Sequence, residues 1–545
     1  MYYRIALISH PTYTPDDPVW NAYETLACAG HAVEIVDPEL YPDVLRADGS
    51  LNDQALATFR SFFRPDYVSL GGETAEELLS ACKRAGAPGM PNPAKRFLVF
   101  GYLGKDNFGD EFVFSLIRRE IVRRWPEAVI TAIGQGPAAT LARHGVTSIE
   151  PDMKFRMDIL LNGAAALVFM AGIVFDTPFF DMTAGMTELF LNPYSEIPGQ
   201  VSCVQLAWMR GVPSAFLGIG AGPLANPDAH ALLHLAGLCK PVFATRDAET
   251  AHLLAAAGVN DSLIERTADV AFSIARERES YAPSRARQTP TESPRIVVSL
   301  RDFSSVDETF HARVAAALDS MVERHRAHVL FLDLAPEDRD IHVRTADAMR
   351  HAEATEFQPT GSDDDMLAAI GSAHVILATR LHASIIGNAF GIPSVGFDYS
   401  EKVRSHYRLM GQERTLCSLD APVSSITDAL EAAFEHHDKL ASQLAARTEV
   451  LAVDSSRNFD ILARLVESHE ARPMPHRIYD RRASREAVVL VQRERELFEA
   501  RTALAAAEER IAAAEAECRE LRESTTWKVG SAITAPARAI KDALG

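Results

Sequence analysis

HVILATRLHASIIGNAFGIPSVGFDY, running from His374 to Tyr399, carries in one stretch the alternation on which the fold rests. Val375 to Ala378 is a short apolar run, Ser384 to Phe390 is helix-like and closed by Gly391, and Ile392 and Pro393 restart extended chain. Strand, helix and strand joined by tight turns make one unit of a parallel α/β sheet. Arg380 and His382 break the apolar pattern at the turn after the first strand, where burying a charge is costly. Ligands of open parallel sheets bind beyond the carboxyl ends of the strands. In an extended turn residues two apart point the same way, so both side chains can face one ligand. The plainer reading has Arg380 paired with a carboxylate across a domain interface and His382 capping or packing.

Working outward, the same alternation fills residues 1 to 420. RIALIS (Arg4 to Ser9), HAVEIVD (His31 to Asp37) and DYVSLGG (Asp66 to Gly72) predict a small flavodoxin-like α/β segment over 1–90, and AGAPGMPNPAK reads as a linker. A first Rossmann-like domain is expected over 96–275, from FLVFGY through PSAFLGIG, PVFATRD and TADVAF. Residues 276–294, polar and broken by proline, read as a connector. A second Rossmann-like domain with C-terminal helices follows over 295–470, so that a cleft lies between two similar domains. Ile159 to Phe175 imitates a membrane span, but Asp158, Asn162 and Asp176 punctuate it, and it reads as a buried strand with its approach.

The last part differs. Leu490, Leu497, Leu504, Ile511 and Cys518 fall at heptad intervals with Ala500, Ala507, Ala514 and Leu521 on the companion seam, which predicts a coiled-coil arm over 485–523. Its narrow seam suits a second copy of the chain or a protein partner. Residues 524–545, with Trp527, Ile533, Ile540 and Leu544 among Lys528, Arg538 and Lys541, read either as an amphipathic tail for an anionic membrane surface or as a frayed terminus.

At 545 residues the chain exceeds one core, since domains run to roughly 150 residues. Its 47% hydrophobic and 24% charged residues are the balance of an ordinary globular protein. The net charge of −19 argues against nucleic acid as a partner and leaves any anionic substrate to a few placed cations. Six cysteines without close pairs exclude a zinc ribbon and a disulfide framework, and point to the cytoplasm; the tail would add peripheral contact at the inner face of a membrane. No metal-ligand cluster is visible.

Three further loops stand where strands end. GKDNFGDEF places Gly101 and Gly104 so that backbone can approach a ligand, and Asp106, Asn107 and Asp110 at a helix mouth as caps or hydrogen-bonding groups. GIGAGPL, Gly218 to Leu224, lacks the spacing of a dinucleotide fingerprint. Arg246 ends PVFAT, free to meet a ligand or to pair with Asp247 or Glu249.

GYLGKDNFGDE, GIGAGPL, ATRDAETAHLLAAAGV with TADVAF, VVSLR and RLHASIIGNAFGIPSVGFDYSEKV, in that order over about 96–420, resemble the polysaccharide pyruvyl transferases. The resemblance implies a glycosyltransferase B-like fold and transfer of the pyruvyl group of phosphoenolpyruvate to glycan or glycolipid hydroxyls, commonly as a ketal, in polysaccharide synthesis. It needs no cofactor beyond phosphoenolpyruvate as donor. By position, Arg246, Arg380 and His382 match the family's active-site residues, and Lys402 in YSEKV matches a basic position. Guanidinium groups suit the donor's phosphate and carboxylate, and an imidazole suits proton transfer. Met170, Ala171 and Gly172 stand where many members carry three glycines, which bears on substrate identity or activity. A nucleotide-sugar glycosyltransferase of similar architecture and a catalytically silent scaffold for glycan assembly are the alternatives. Nucleotide binding without phosphoenolpyruvate binding would mark the first, and a phenotype indifferent to His382 the second.

Overall fold

The structure is a computed structural model, and it describes residues 1–11, 17–150, 154–170, 172–174, 197–222, 224, 227–281, 293–302, 309–469 and 473, with 504, 507 and 510 beyond them. The chain divides into two compact units, Met1–Tyr479 and Asp480–Gly545. In the second unit the three described positions are helical; the rest of the expected arm at 485–523 and the whole tail at 524–545 lie outside the described residues.

The first unit holds three sheets, and every strand pair within them is parallel. The N-terminal sheet has the order β2-β1-β3, with β1 at Arg4–Ile8, β2 at Ala32–Val36 and β3 at Tyr67–Ser69. The central sheet comprises β4 (Lys95–Phe100), β5 (Ala128–Ile133), β6 (Thr147–Ile149), β7 (Ala166–Phe169), β8 (Gly172–Val174), β9 (Ser214–Ala221), β10 (Val242–Thr245) and β11 (Ile264–Arg266). Its order is β11-β10-β9-β7-β4-β5-β6, with β8 also pairing β9. The third sheet runs β14-β13-β12-β15-β16-β17, from β12 (Arg295–Ser299), β13 (His328–Leu332), β14 (Thr355–Gln358), β15 (Val375–Ala378), β16 (Ser394–Asp398) and β17 (Leu416–Ser418).

The central and third sheets are doubly wound in the same sense. Each begins in its middle, grows one way for two strands and then returns past its first strand. The strand order therefore reverses between β4 and β7 in one and between β12 and β15 in the other, and ligands of open α/β sheets bind at such reversals. This is the glycosyltransferase B-like arrangement that the resemblance implies. Both sheets are apolar through, as burial on two faces requires: Phe97, Val99, Val168 and Leu217 are buried in one and Ile296, Val298, Val375 and Leu377 in the other.

Three local readings change. The span Ile159 to Phe175 is not a strand with its approach throughout: Lys154–Leu161 is a helix whose Met157, Ile159 and Leu161 are fully buried, and the strand starts only at Ala166, after Asn162 and Gly163 turn the chain. Gly163 has φ +73°, which suits such a turn. Arg276–Tyr281, read as the start of a connector, is helical, and Arg278 Nε donates to the Ala389 carbonyl at 3.2 Å. Finally, Arg380 is the N-cap of a helix, Leu381–Ala389, so His382 lies in a helical first turn and not two residues along an extended one.

The N-terminal sheet is bound to the central one through buried polar groups. Tyr41 Oη donates to the Ser148 carbonyl at 2.8 Å, Arg156 pairs with Asp37, and the Glu34 carboxyl takes hydrogen bonds from Thr147 and, at 3.4 Å, from Thr131. At the other end the 31-residue helix His437–Glu467 begins beside the third sheet, where His437 stacks on His374, and ends against the central one. There Ser455 Oγ donates to the Val270 carbonyl at 3.1 Å and Asn458 Nδ2 to the Ala268 carbonyl at 2.9 Å.

Candidate active site

Arg380 leaves β15 at the third sheet's reversal, its backbone N–H bonded to the carbonyl of Ser299 at the end of β12. Its guanidinium is held from one side. Nε donates to both oxygens of Asp338 at 3.1 and 3.0 Å, and Nη2 donates to Asp338 at 2.5 Å and to Glu337 at 2.9 Å. Asp338, fully buried, is fixed in turn by the backbone N–H groups of Leu334 and Ala335. Burial works against the guanidinium's charge, but Asp338 and Glu337 outweigh it and hold the Arg380 pKa above its ordinary value. The partner is a carboxylate of the same domain, 42 residues away in sequence, and not one across the interface.

Arg246 leaves β10 in the central sheet, with its N–H on the Ile219 carbonyl of β9. Nη1 donates to Asp269 at 2.9 Å, and Asp247 lies 3.7 Å from Nε. The neighbour Asp247 is thus a distant partner, while the strong one comes from TADVAF. Gly220 gives the guanidinium its room, since a Cβ there would sit 2.7 Å from Nε and Nη2. Each arginine is therefore fixed by an aspartate on one edge, and Nη1 of Arg380 and Nη2 of Arg246 have no hydrogen-bond partner among the described residues.

His382 lies within electrostatic reach of both arginines. Its ring packs on Gly109, where an added Cβ would overlap Nδ1, and its Nε2 is buried without a hydrogen-bond partner among the described residues. Burial pushes the imidazole below its ordinary range; Asp269 opposes this, and Arg246, Lys402 and Arg380 reinforce it. The ring is thus neutral at neutral pH. Lys402 stands in the helix Glu401–Met410 over the ring of Tyr399, 5.4 Å from its centroid, within electrostatic reach of both His382 and Asp110. His406 on the same helix is pushed down to about 3 by burial and by Arg246, and its Nε2 lies 2.9 Å from Asn388 Oδ1.

From the central sheet the loop after β4 leads into the helix Phe108–Arg124, whose start meets the domain of the third sheet directly: the Phe108 N–H donates to the Leu334 carbonyl at 2.7 Å. Asp110, in its first turn, lies within reach of Arg380 and Lys402. Asn107 is the N-cap, but its side chain makes no capping hydrogen bond. Gly101 and Gly104 serve protein packing. A Cβ on Gly101 would overlap Met170, and one on Gly104 would overlap Gly136. The structure thus brings together Asp110, Arg246, Arg380, His382 and Lys402, while Asn107, Gly101 and Gly104 shape the loop beside them. Of the Met170-Ala171-Gly172 departure, Met170 fills the space against Gly101, and Ala171 lies outside the described residues.

Several members were not read from sequence. Glu111 is buried, takes the Gly104 N–H at 2.8 Å and lies 2.6 Å from His144 Nε2, so it latches the loop to the helix. Asp269 and Asp338 set the arginines. Each stands at the start of a helical turn, and nothing local in the sequence marks its partner.

Among the described residues no group of three His, Cys, Asp or Glu side chains is placed to hold a metal ion, and no helix is long and apolar enough to cross a membrane. A larger groove lined by Phe62, Arg118, Arg119, Arg143, Tyr281 and Asp363 has its cations engaged: Arg118 on the His144 carbonyl at 2.6 Å, Arg143 on Asp363 at 2.9 Å and Arg119 on Glu277 at 2.7 Å.

A family model described as polysaccharide pyruvyl transferase matches residues 107–401, which include Asp110, Arg246, Arg380 and His382 and stop one residue before Lys402. No curated protein sequence matches the chain. Among solved structures, the UDP-GlcNAc 2-epimerase of Neisseria meningitidis bound to UDP-GlcNAc is 8% identical, with a TM-score of 0.48 over 69% of this chain and 100% of that one. The S. aureus MnaA structure with UDP is 8% identical with a TM-score of 0.47, covering 70% of this chain and 100% of its own. HepE of Anabaena in complex with UDP is 11% identical with a TM-score of 0.42, covering 69% and 100%.

Proposed function

The chain belongs to the polysaccharide pyruvyl transferase family, whose model spans more than half of it, and from that premise we propose that this glycan-modifying transferase takes phosphoenolpyruvate as donor and places the pyruvyl group on a glycan or glycolipid acceptor. The observation that carries the reading is the pair of arginines, one from each doubly wound domain, each held by a buried aspartate and each presenting an unpartnered nitrogen beside a neutral imidazole. A donor with phosphate at one end and carboxylate at the other needs two planar cations with fixed aim. Fixing them before the donor arrives lowers the ordering cost of binding. The helix Leu381–Ala389 adds its N-terminus, whose backbone N–H groups favour an anion. Lys402 adds a third cation, and His382 exchanges protons with the reacting hydroxyl or phosphate. No metal or organic cofactor enters this reading, and the acceptor completes it as the partner.

The test is a thermal-shift comparison of phosphoenolpyruvate with nucleotide sugars, followed by phosphate release with a panel of glycans. Phosphoenolpyruvate should raise the melting temperature of the wild type, because a ligand that binds only the folded state stabilises it. Arg380→Ala should lower kcat/KM by roughly 10²–10³-fold, the scale for loss of one placed charge donor. Stabilisation by nucleotide sugars alone, or phosphate release unchanged in Arg380→Ala, would sink the proposal.

A further inference from the structure

Asp110 holds a second proton site for the reaction, if the donor is the one proposed above. Its carboxylate has no hydrogen-bond partner among the described residues, although it lies in the first turn of Phe108–Arg124 with charged groups around it. Within electrostatic reach are Glu111 on its own helix, Arg380 and Lys402 from the third sheet's side, Asp269 beyond β11 and Tyr102 on the loop after β4. One residue away, Gly109 is the floor on which the His382 ring rests. The imidazole is itself faced by Asp269, Arg246, Lys402, Arg380 and His406. A carboxyl from one domain and an imidazole from the other therefore both lie within electrostatic reach of Arg380, Lys402 and Asp269.

Pyruvyl transfer from an enol phosphate moves more protons than one imidazole can carry at once. The methylene carbon must gain a proton while the attacking hydroxyl loses one, and the two sites lie on different atoms. We propose that Asp110 is a catalytic acid that protonates the methylene carbon of phosphoenolpyruvate while His382 takes the proton of the attacking hydroxyl. In the first step the Oδ–H bond of Asp110 and the carbon–carbon π bond break and a C–H bond forms, so that CH2 becomes CH3. The hydroxyl oxygen bonds to the adjacent carbon, and its proton passes to His382 Nε2. In the second, the carbon–oxygen bond to phosphate breaks, His382 returns its proton to the departing phosphate, and the second hydroxyl closes the ketal while its proton restores Asp110. One donor and two hydroxyls become one ketal and one inorganic phosphate, and both side chains end as they began.

The carboxyl suits this duty. Burial, with Glu111 and Asp269, raises it to about 7 against the pull of Arg380 and Lys402. It is therefore protonated below about 7, and an anionic donor beside it favours the neutral form further. Activity should fall as the pH rises past that point, because the acid form is the one required.

The experiment is calorimetric titration of the full chain with phosphoenolpyruvate at pH 8, in two buffers of different ionisation enthalpy, with phosphate release measured in parallel on a glycan panel. The wild type should take up close to one proton per donor bound. Asp110→Asn should bind the donor with no uptake and release phosphate at least roughly 10²-fold more slowly. Asp110→Glu, which keeps the acid, should retain the uptake, and this guards against a misfolded amide variant. Uptake that persists in Asp110→Asn, or undiminished phosphate release by it, overturns the assignment alone. Absence of donor binding to the wild type overturns the donor reading and the assignment with it.

Discussion

Gly109 carries no functional group, yet the position of the candidate proton carrier depends on it. A methyl group at 109 would occupy the place of His382 Nδ1. Alanine is otherwise the better helix residue by about 1 kcal/mol, so Gly109→Ala should leave the melting temperature nearly unchanged while kcat falls by roughly 10²-fold, the scale of a 1 Å misplacement. Paired thermal melts and phosphate-release assays would separate the two effects, and a variant with full activity would show that the ring is free to move. At this scale the sequence was half legible. Arg246, Arg380 and His382 announced themselves as polar residues at the ends of apolar runs, and the structure places them together. Asp269 and Asp338 did not, because an acid that begins a helical turn is indistinguishable from an ordinary cap until its partner, 23 or 42 residues away, is known.

The loop after β4 and the helix that follows it act as one element because of Glu111. Its two oxygens are divided between the Gly104 N–H and His144, and burial pushes the His144 imidazole down although Glu111 pulls it up. Glu111→Ala should cost about 1–3 kcal/mol, the scale of leaving buried hydrogen-bonding groups unsatisfied, and should loosen the loop that precedes Asp110; denaturant melts would show the loss of stability, and a variant as stable as wild type would refute the latch. Strands and helices at this scale could be anticipated, since apolar runs of four to six residues between glycines leave few alternatives. Their neighbours could not. Parallel pairing joins residues far apart in the chain, so that β4 lies between β5 and β7 and β12 between β13 and β15 without any local mark. The helical start at Leu381 also escaped the reading, because a turn and a helix N-terminus share the same residue types.

Across the whole molecule the N-terminal sheet is part of the body it adjoins, and Glu34 makes the join sensitive to pH. Burial raises this carboxyl to about 8, with its threonine partners only partly opposing. In the unfolded chain it ionises near 4.5. Between those values the folded state holds the extra proton, so stability falls as pH rises through the interval and levels off above about 8. Glu34→Gln should therefore be more stable than wild type by on the order of 1–3 kcal/mol at pH 9 and equal to it near pH 5; melting curves at both pH values decide this, and a gap that does not close on acidification would contradict it. The helix His437–Glu467 has another consequence, which belongs to synthesis. After the central sheet's last strand, the carbonyls of Ala268 and Val270 receive Asn458 and Ser455 only after the third sheet has been made. At about 5–20 residues per second the nascent chain waits roughly ten to forty seconds between the two. During that interval Val270 and its neighbours lack the cover of this helix, and the N-terminal half should be a client for chaperones until His437–Glu467 emerges.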